Sequence, residues 1–340
     1  MKERESGVDL FRCLGVLFVT GLHAFLYNGF YSQPQQGAAM WAANSVRWLF
    51  YGCNGMFMLL TGYLKSTKPL SKSYYRGLLT VLVGYALTCV ISYPVRYFLL
   101  GEKDGLMIWV ERFFTFSNYA WYVEMYIGLI LFSPVINLAI GHLSEPRHLL
   151  YLASVMLILT ALPTLTPLPL LPDYWTSLYP VTYYVLGAVI RRLQPKLPAW
   201  VGLAGAAAMA GLMGLLSLLT TDGGHFNDGF SQGGYGGCLT TFMVTFLFLG
   251  VYRIRIGPRV QKVLAWLAGG TFEGYILSRL FDVWIYGRVR FWHRPETYIL
   301  IFLCVTVPVF LISVTAGKFT HDLAVRLTRK KPRHTHQTIN

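Results

Sequence analysis

Acidic residues are scarce in this sequence: 15 Asp and Glu stand against 29 Lys and Arg in 340 residues. Charged residues of both signs make up 13%, about half of the ~25% usual in a soluble domain. Too few charges remain to cover a water-exposed surface of this size, which argues against a soluble globular protein. Cysteine is scarce as well. Cys13, Cys53, Cys89, Cys238 and Cys304 stand singly, mostly inside apolar runs. Their spacing excludes a disulfide framework and a cysteine-based metal site, and predicts small buried hydrophobes. The glycine pairs lie in no GxxxxGK[ST] setting, which excludes a phosphate-cradling P-loop. No internal repeat is visible. The first apolar run has no small-residue cleavage site, so it is expected to stay as a helix rather than leave as a signal peptide.

Apolar surface is abundant. Hydrophobic residues make up 54% of the chain and aromatics 16%, and the apolar residues gather into runs of about 20, the length that crosses a bilayer. The expected fold is therefore an all-α polytopic membrane protein with about ten transmembrane helices. The spans are read at 8–30, 41–64, 74–100, 119–141, 148–165, 174–192, 199–219, 234–253, 262–286 and 297–318. LMIWVERFF at 106–114 reads as a short interfacial helix. The Pro-rich 163–173 and Gly-rich 221–237 segments need a surface or a water-filled vestibule, because bare backbone is not tolerated in lipid.

The formal charge of +14 first suggests nucleic acid, but the basic residues sit in short stretches between apolar runs, the pattern of membrane orientation. With both termini cytoplasmic, 21 of the 29 basic residues fall inside and five outside, which sets the orientation and an even number of spans. Arg47, Arg96 and Arg279 fall within spans. The exception to the bias is the last outside loop, with Arg288, Arg290 and Arg294. It reads either as a patch facing an anionic substrate or lipid headgroups, or as a loop set by its neighbours. Residues 1–318 form the expected membrane domain, and 319–340 a short, disordered basic tail at the cytoplasmic surface, against membrane lipids.

One stretch carries chemistry. RCLGVLFVTGLH, residues 12–23, has Arg12 and His23 at its ends and only uncharged residues between. Eleven residues are close to three helical turns, so both side chains face one way, separated by roughly 16 Å of rise. Asp9 shares that face and is placed to pair with Arg12. Ionisable groups deep in a span are costly and usually face a protein interior or a wet cavity, so this face is expected to line a polar tunnel. Histidine suits general-base work, taking a proton from a hydroxyl that attacks an acyl carbonyl. Arginine near the inner surface suits anions such as the phosphates of a nucleotide-like donor. The competing readings are a hydrogen-bonded structural histidine and a snorkelling arginine.

The sequence resembles the acyltransferase-3 family of integral membrane acyltransferases. GVDLFRCLGVLFVTGLH resembles the family's first helix, in which Arg and His are separated by ten residues. GMFMLLTGYL (55–64) resembles its Phe-rich run ending in Ser-Gly-Tyr/Phe-Leu, with Thr61 in place of serine. KSTKPLSKSYYRGLLTVLVGY (65–85) resembles its basic loop and Arg-led third helix, and points to Lys72, Arg76 and Tyr85. WYVEMYIGLILFSPVIN (121–137) resembles its Trp-Tyr-Leu helix and points to Trp121. YYVLGAVIRR (183–192) resembles the segment before a basic inner loop. Two departures stand out: Thr80 replaces a second arginine after Arg76, and Ser278 or Arg279 stands where a histidine is common.

The resemblance implies transfer of an acyl group, commonly acetyl, from cytoplasmic acyl-CoA to a hydroxyl of a cell-envelope polysaccharide or lipid-linked sugar. It implies a multi-pass protein of the bacterial inner membrane, with acetyl-CoA or another acyl-CoA as donor and no metal. His23, Arg12 and Glu124 are the expected catalytic residues. Asp9, Arg47, Lys72, Arg76, Tyr85, Trp121, Glu273 and Arg279 are the expected substrate- and donor-binding residues. Arg47 and Glu124, near the outer ends of their spans, are read as an acceptor-side pair, with Glu124 orienting His23 or binding sugar hydroxyls. The alternative is that they are interfacial anchors. On the ninth span, Arg279 and Asp282 are three apart and expected to pair, and Glu273 is expected to line the tunnel. Buried Arg, His and Glu also suit a transporter or flippase for a small solute or lipid-linked sugar. The missing repeat and the lack of paired broken spans count against that alternative.

Overall fold

The computed structural model describes residues 5–116, 121–165, 172–227, 234–288 and 295–328. The chain is all-helical, and five helices among the described residues are long and apolar enough to cross a membrane. The first is α1 (Ser6–Tyr27), which realises the expected first span. The second expected span is broken at Gly52 into α2 (Gly37–Tyr51) and α3 (Cys53–Lys65). Helix α4 (Lys72–Pro94) starts at Ser71, whose hydroxyl accepts from the Tyr74 backbone N–H. It ends at Pro94, beyond which a wider turn spans Val95–Leu99. Helix α5 (Leu106–Thr115) is the expected short helix.

Helix α6 (Trp121–His142) leads to α7 (Pro146–Thr160), then to α8 (Tyr179–Leu193), α9 (Ala199–Leu219) and α10 (Cys238–Val251). The ninth expected span is two helices, α11 (Pro258–Ala268) and α12 (Thr271–Tyr286). They are split at Gly269 and Gly270, where α13 (Pro295–Thr328) presses so close that a Cβ on Gly270 would lie 2.4 Å from the Lys318 nitrogen. Helix α13 runs on to Thr328, so the expected disordered tail is helical up to that residue. Residues 329–340, with the remaining tail charges, lie outside the described residues, as do Arg290 and Arg294.

Packing follows membrane rules. Lipid exerts no hydrophobic push between helices, so close approach through small residues matters more. Helices α3 and α8 meet through Gly62 and Gly187, where a Cβ would come within 2.0 Å of the carbonyl oxygens of Tyr184 and Leu59. Apolar side chains also face outward, as Leu131, Phe132, Val135 and Leu138 do on α6. Cys13, Cys53 and Cys238 are buried as expected, but Cys304 is exposed on α13. Helix α1 is central: it packs against α2, α3, α11, α12 and α13. Arg12 and His23 on it therefore reach side chains from distant parts of the chain.

Candidate active site

Arg12 and His23 open into two cavities. The first, about 270 Å³, is lined by Arg12, Lys65, Glu273 and His321, with Tyr122, Tyr126 and Tyr275 among its walls. The second, about 460 Å³, is lined by His23, Arg47 and Arg279 with Trp121 and several tyrosines. Tyr275 lines both, so its ring is a shared wall. Arg12 and His23 thus each line a cavity, two chambers where one polar tunnel was expected.

His23 is held from behind. Its Nδ1 lies 2.5 Å from Oδ2 of Asp282 on α12, and the carboxylate is fully buried. Ser278 Oγ approaches the same oxygen at 3.2 Å, and Oδ1 has no hydrogen-bond partner among the described residues. With Nδ1–H donating to Asp282, the imidazole presents Nε2 as an acceptor. His23 lines the cavity and Asp282 does not. An imidazole oriented by a buried carboxylate is the arrangement of a general base, in which the acid fixes tautomer and ring direction.

This arrangement corrects two expectations. The carboxylate that meets His23 is Asp282, whereas Glu124 is exposed on α6. Asp282 also does not pair with Arg279. It turns to His23 and Ser278, while Arg279 donates from Nη1 to the Tyr27 hydroxyl. Spacing within one helix made the Arg279 pair attractive, but packing of α12 against α1 offers a better-placed imidazole.

The Arg12 cavity holds a second pair. Glu273, 1% exposed, accepts from Nδ1 of His321 on α13 at 2.9 Å. Gly84 makes room for it, since a Cβ there would sit 2.5 Å from Glu273 Oε1. A Cβ on Gly317 would lie 2.2 Å from the Gly274 nitrogen, so this glycine contact sets α13 against α12 and brings His321 to Glu273. Glu273 therefore lines a cavity as expected. His321 fell in the stretch read as tail, where nothing local marked it out.

The other expected residues divide. Trp121 lines the His23 cavity, stacked on Tyr235 at 5.2 Å, and Tyr235 stacks in turn on Tyr51 at 4.3 Å. Arg47 lines the same cavity. Lys72 and Arg76 are exposed on α4 and stand outside the Arg12 cavity, where the basic partner of Arg12 is Lys65. Tyr85 is buried and donates to the Phe113 carbonyl at 2.9 Å, so it ties α4 to α5 and lines neither cavity. Asp9 is buried a turn before Arg12 and lines neither cavity.

No curated protein and no solved structure matches the chain. Residues 5–318, nearly the whole chain, match the family model described as an acyltransferase domain, and the chain therefore belongs to the acyltransferase-3 family of membrane acyltransferases.

Proposed function

We propose that this protein moves an acyl group from cytoplasmic acyl-CoA to a hydroxyl of an envelope glycan or lipid-linked sugar, with His23 as general base. The observation that carries the reading is the His23–Asp282 contact of 2.5 Å, made so that the imidazole and not the carboxylate faces a cavity. The acceptor hydroxyl enters that cavity. His23 Nε2 takes its proton as the oxygen attacks the acyl carbonyl carbon. The new C–O bond forms, the thioester C–S bond breaks, and the proton passes on to the departing thiolate. Asp282 keeps its charge throughout and stabilises the imidazolium. A thioester is already activated, so holding the two reactants together supplies much of the acceleration.

The donor is assigned to the Arg12 cavity. Arg12 and Lys65 suit its phosphates, and Tyr275, which lines both cavities, is the wall the acyl end has to pass to reach His23. On this reading the donor enters from the cytoplasmic side of a multi-pass protein of the bacterial inner membrane with both termini inside, as the basic residues between the apolar runs suggest.

The test is purified protein in detergent, incubated with radiolabelled acetyl-CoA with and without an envelope glycan extract. Label in the glycan, lost by about a hundredfold or more in a folded His23→Ala variant, supports the assignment. Absence of donor binding and of CoA release across several acyl chain lengths refutes it.

A further inference from the structure

Two arginines are almost wholly buried among the described residues, and they are treated differently. Arg96, 6% exposed, is ion-paired with Glu102. Arg47, 4% exposed, has no ion pair to a carboxylate among the described residues. Its guanidinium instead sits among aromatic rings, with centroids at 4.2 Å for Trp48, 4.6 Å for Phe226, 4.8 Å for Tyr51 and 5.7 Å for Tyr31. Its Nε reaches the Tyr31 hydroxyl only at 3.4 Å, and its buried Nη1 has no hydrogen-bond partner among the described residues. Ring faces offset part of the cost of burying a cation, but a buried charge with an unfilled donor remains expensive unless something completes it.

The cavity beside Arg47 fits that need. Among the described residues it is lined by Arg47 and Arg279 and by no Asp or Glu, since Asp282 lies behind His23. One wall carries the Tyr51–Tyr235–Trp121 stack. Flat rings suit the apolar face of a sugar, and a guanidinium suits the planar, bidentate recognition of a carboxylate or phosphate.

We propose that Arg47 is the anchor for an anionic group on the acceptor, so that the protein selects an acidic sugar: a uronic acid carboxylate, or the phosphate of a lipid-linked sugar. The proposal rests on the reading that the acceptor occupies the His23 cavity. It deepens that reading by giving the acceptor a charge.

The test needs no acyl donor, so it stands apart from the transfer assay. The full-length protein in detergent is titrated calorimetrically with methyl glucuronide, glucose 1-phosphate and the neutral methyl glucoside at fixed ionic strength. At least one anionic sugar is expected to bind about tenfold or more tightly than the glucoside. Arg47→Gln is expected to abolish that preference, and Arg47→Lys to keep part of it. Preference for the glucuronide identifies the carboxylate as the source, and preference for glucose 1-phosphate identifies the phosphate. Equal affinity for charged and neutral sugars, or no binding by either anionic sugar, overturns the proposal. So does a preference that persists in folded Arg47→Gln. Should that variant fail to fold, an unchanged preference in Arg47→Lys overturns it as well, because a lysine lacks the fork that a bidentate contact needs. Acyl transfer that fails while Arg47-dependent binding persists sinks the transferase reading and leaves Arg47 as the anchor of an acidic sugar that is not an acyl acceptor.

Discussion

The two cavities carry the same chemical pair, a histidine against a carboxylate from α12, but wired differently. At the His23 cavity the carboxylate is behind the imidazole, and among the described residues the lining holds two arginines and no acid. At the Arg12 cavity both members of the pair line the space, and Glu273 sits among Arg12, Lys65 and His321. Glu273 and Asp282 are about two and a half helical turns apart, so one helix serves two chambers from roughly opposite faces. A carboxylate hidden behind an imidazole aims a base. A carboxylate that lines a cavity beside cations sets the charge of a binding chamber. The pair alone therefore does not define a role; what defines it is which member meets the cavity.

The comparison can be broken most sharply at Asp282. Asp282→Asn is expected to lower kcat by about a hundredfold or more, with donor affinity unchanged, because the imidazole loses the partner that holds its tautomer. A kcat close to wild type in steady-state assays would mean that the carboxylate does not aim the base. Arg12→Gln comes next. It is expected to raise the KM for acyl-CoA by about tenfold or more while the KM for the acceptor stays put, as one charge-assisted contact to the donor is lost. Equal effects on both KM values would show that the two chambers do not divide the substrates. The smallest effect is expected at Glu124→Gln, within about twofold on kcat and on both KM values, since an exposed side chain apart from both cavities has little to lose. A large drop there would restore Glu124 to the site.

Much of the site could be read from single helices, and the rest could not. Arg12 and His23 were legible because both lie on α1, where the 3.6-residue period alone decides which side chains share a face. Asp282 was visible as an ionisable residue in a span but was matched with Arg279, its neighbour three residues away, since periodicity sees only one helix at a time. Its actual partner is 259 residues distant. His321 was hidden by the end assigned to the last span. The tyrosines of the His23 cavity belong to a set of 22, and nothing in their local sequence separates a cavity wall from a lipid-facing ring. Lys65 ends α3 while Lys72 and Arg76 open α4, and charge alone does not tell which of them turns toward the Arg12 cavity.

Composition and hydropathy by themselves determined that this is an all-helical membrane protein. They located the apolar stretches and the ionisable face of α1, because burial in lipid and helical periodicity are properties of short segments. Tertiary structure decided where those stretches break, at Gly52 and at Gly269–Gly270. It also decided which carboxylate stands behind His23, how Glu273 meets His321, and that Arg47 rests in a cage of rings beside the same cavity as His23. Each of these depends on how one helix is rotated and pressed against another. That rotation is set by close contacts such as Gly274 against Gly317, summed over the whole bundle and carried by no single segment.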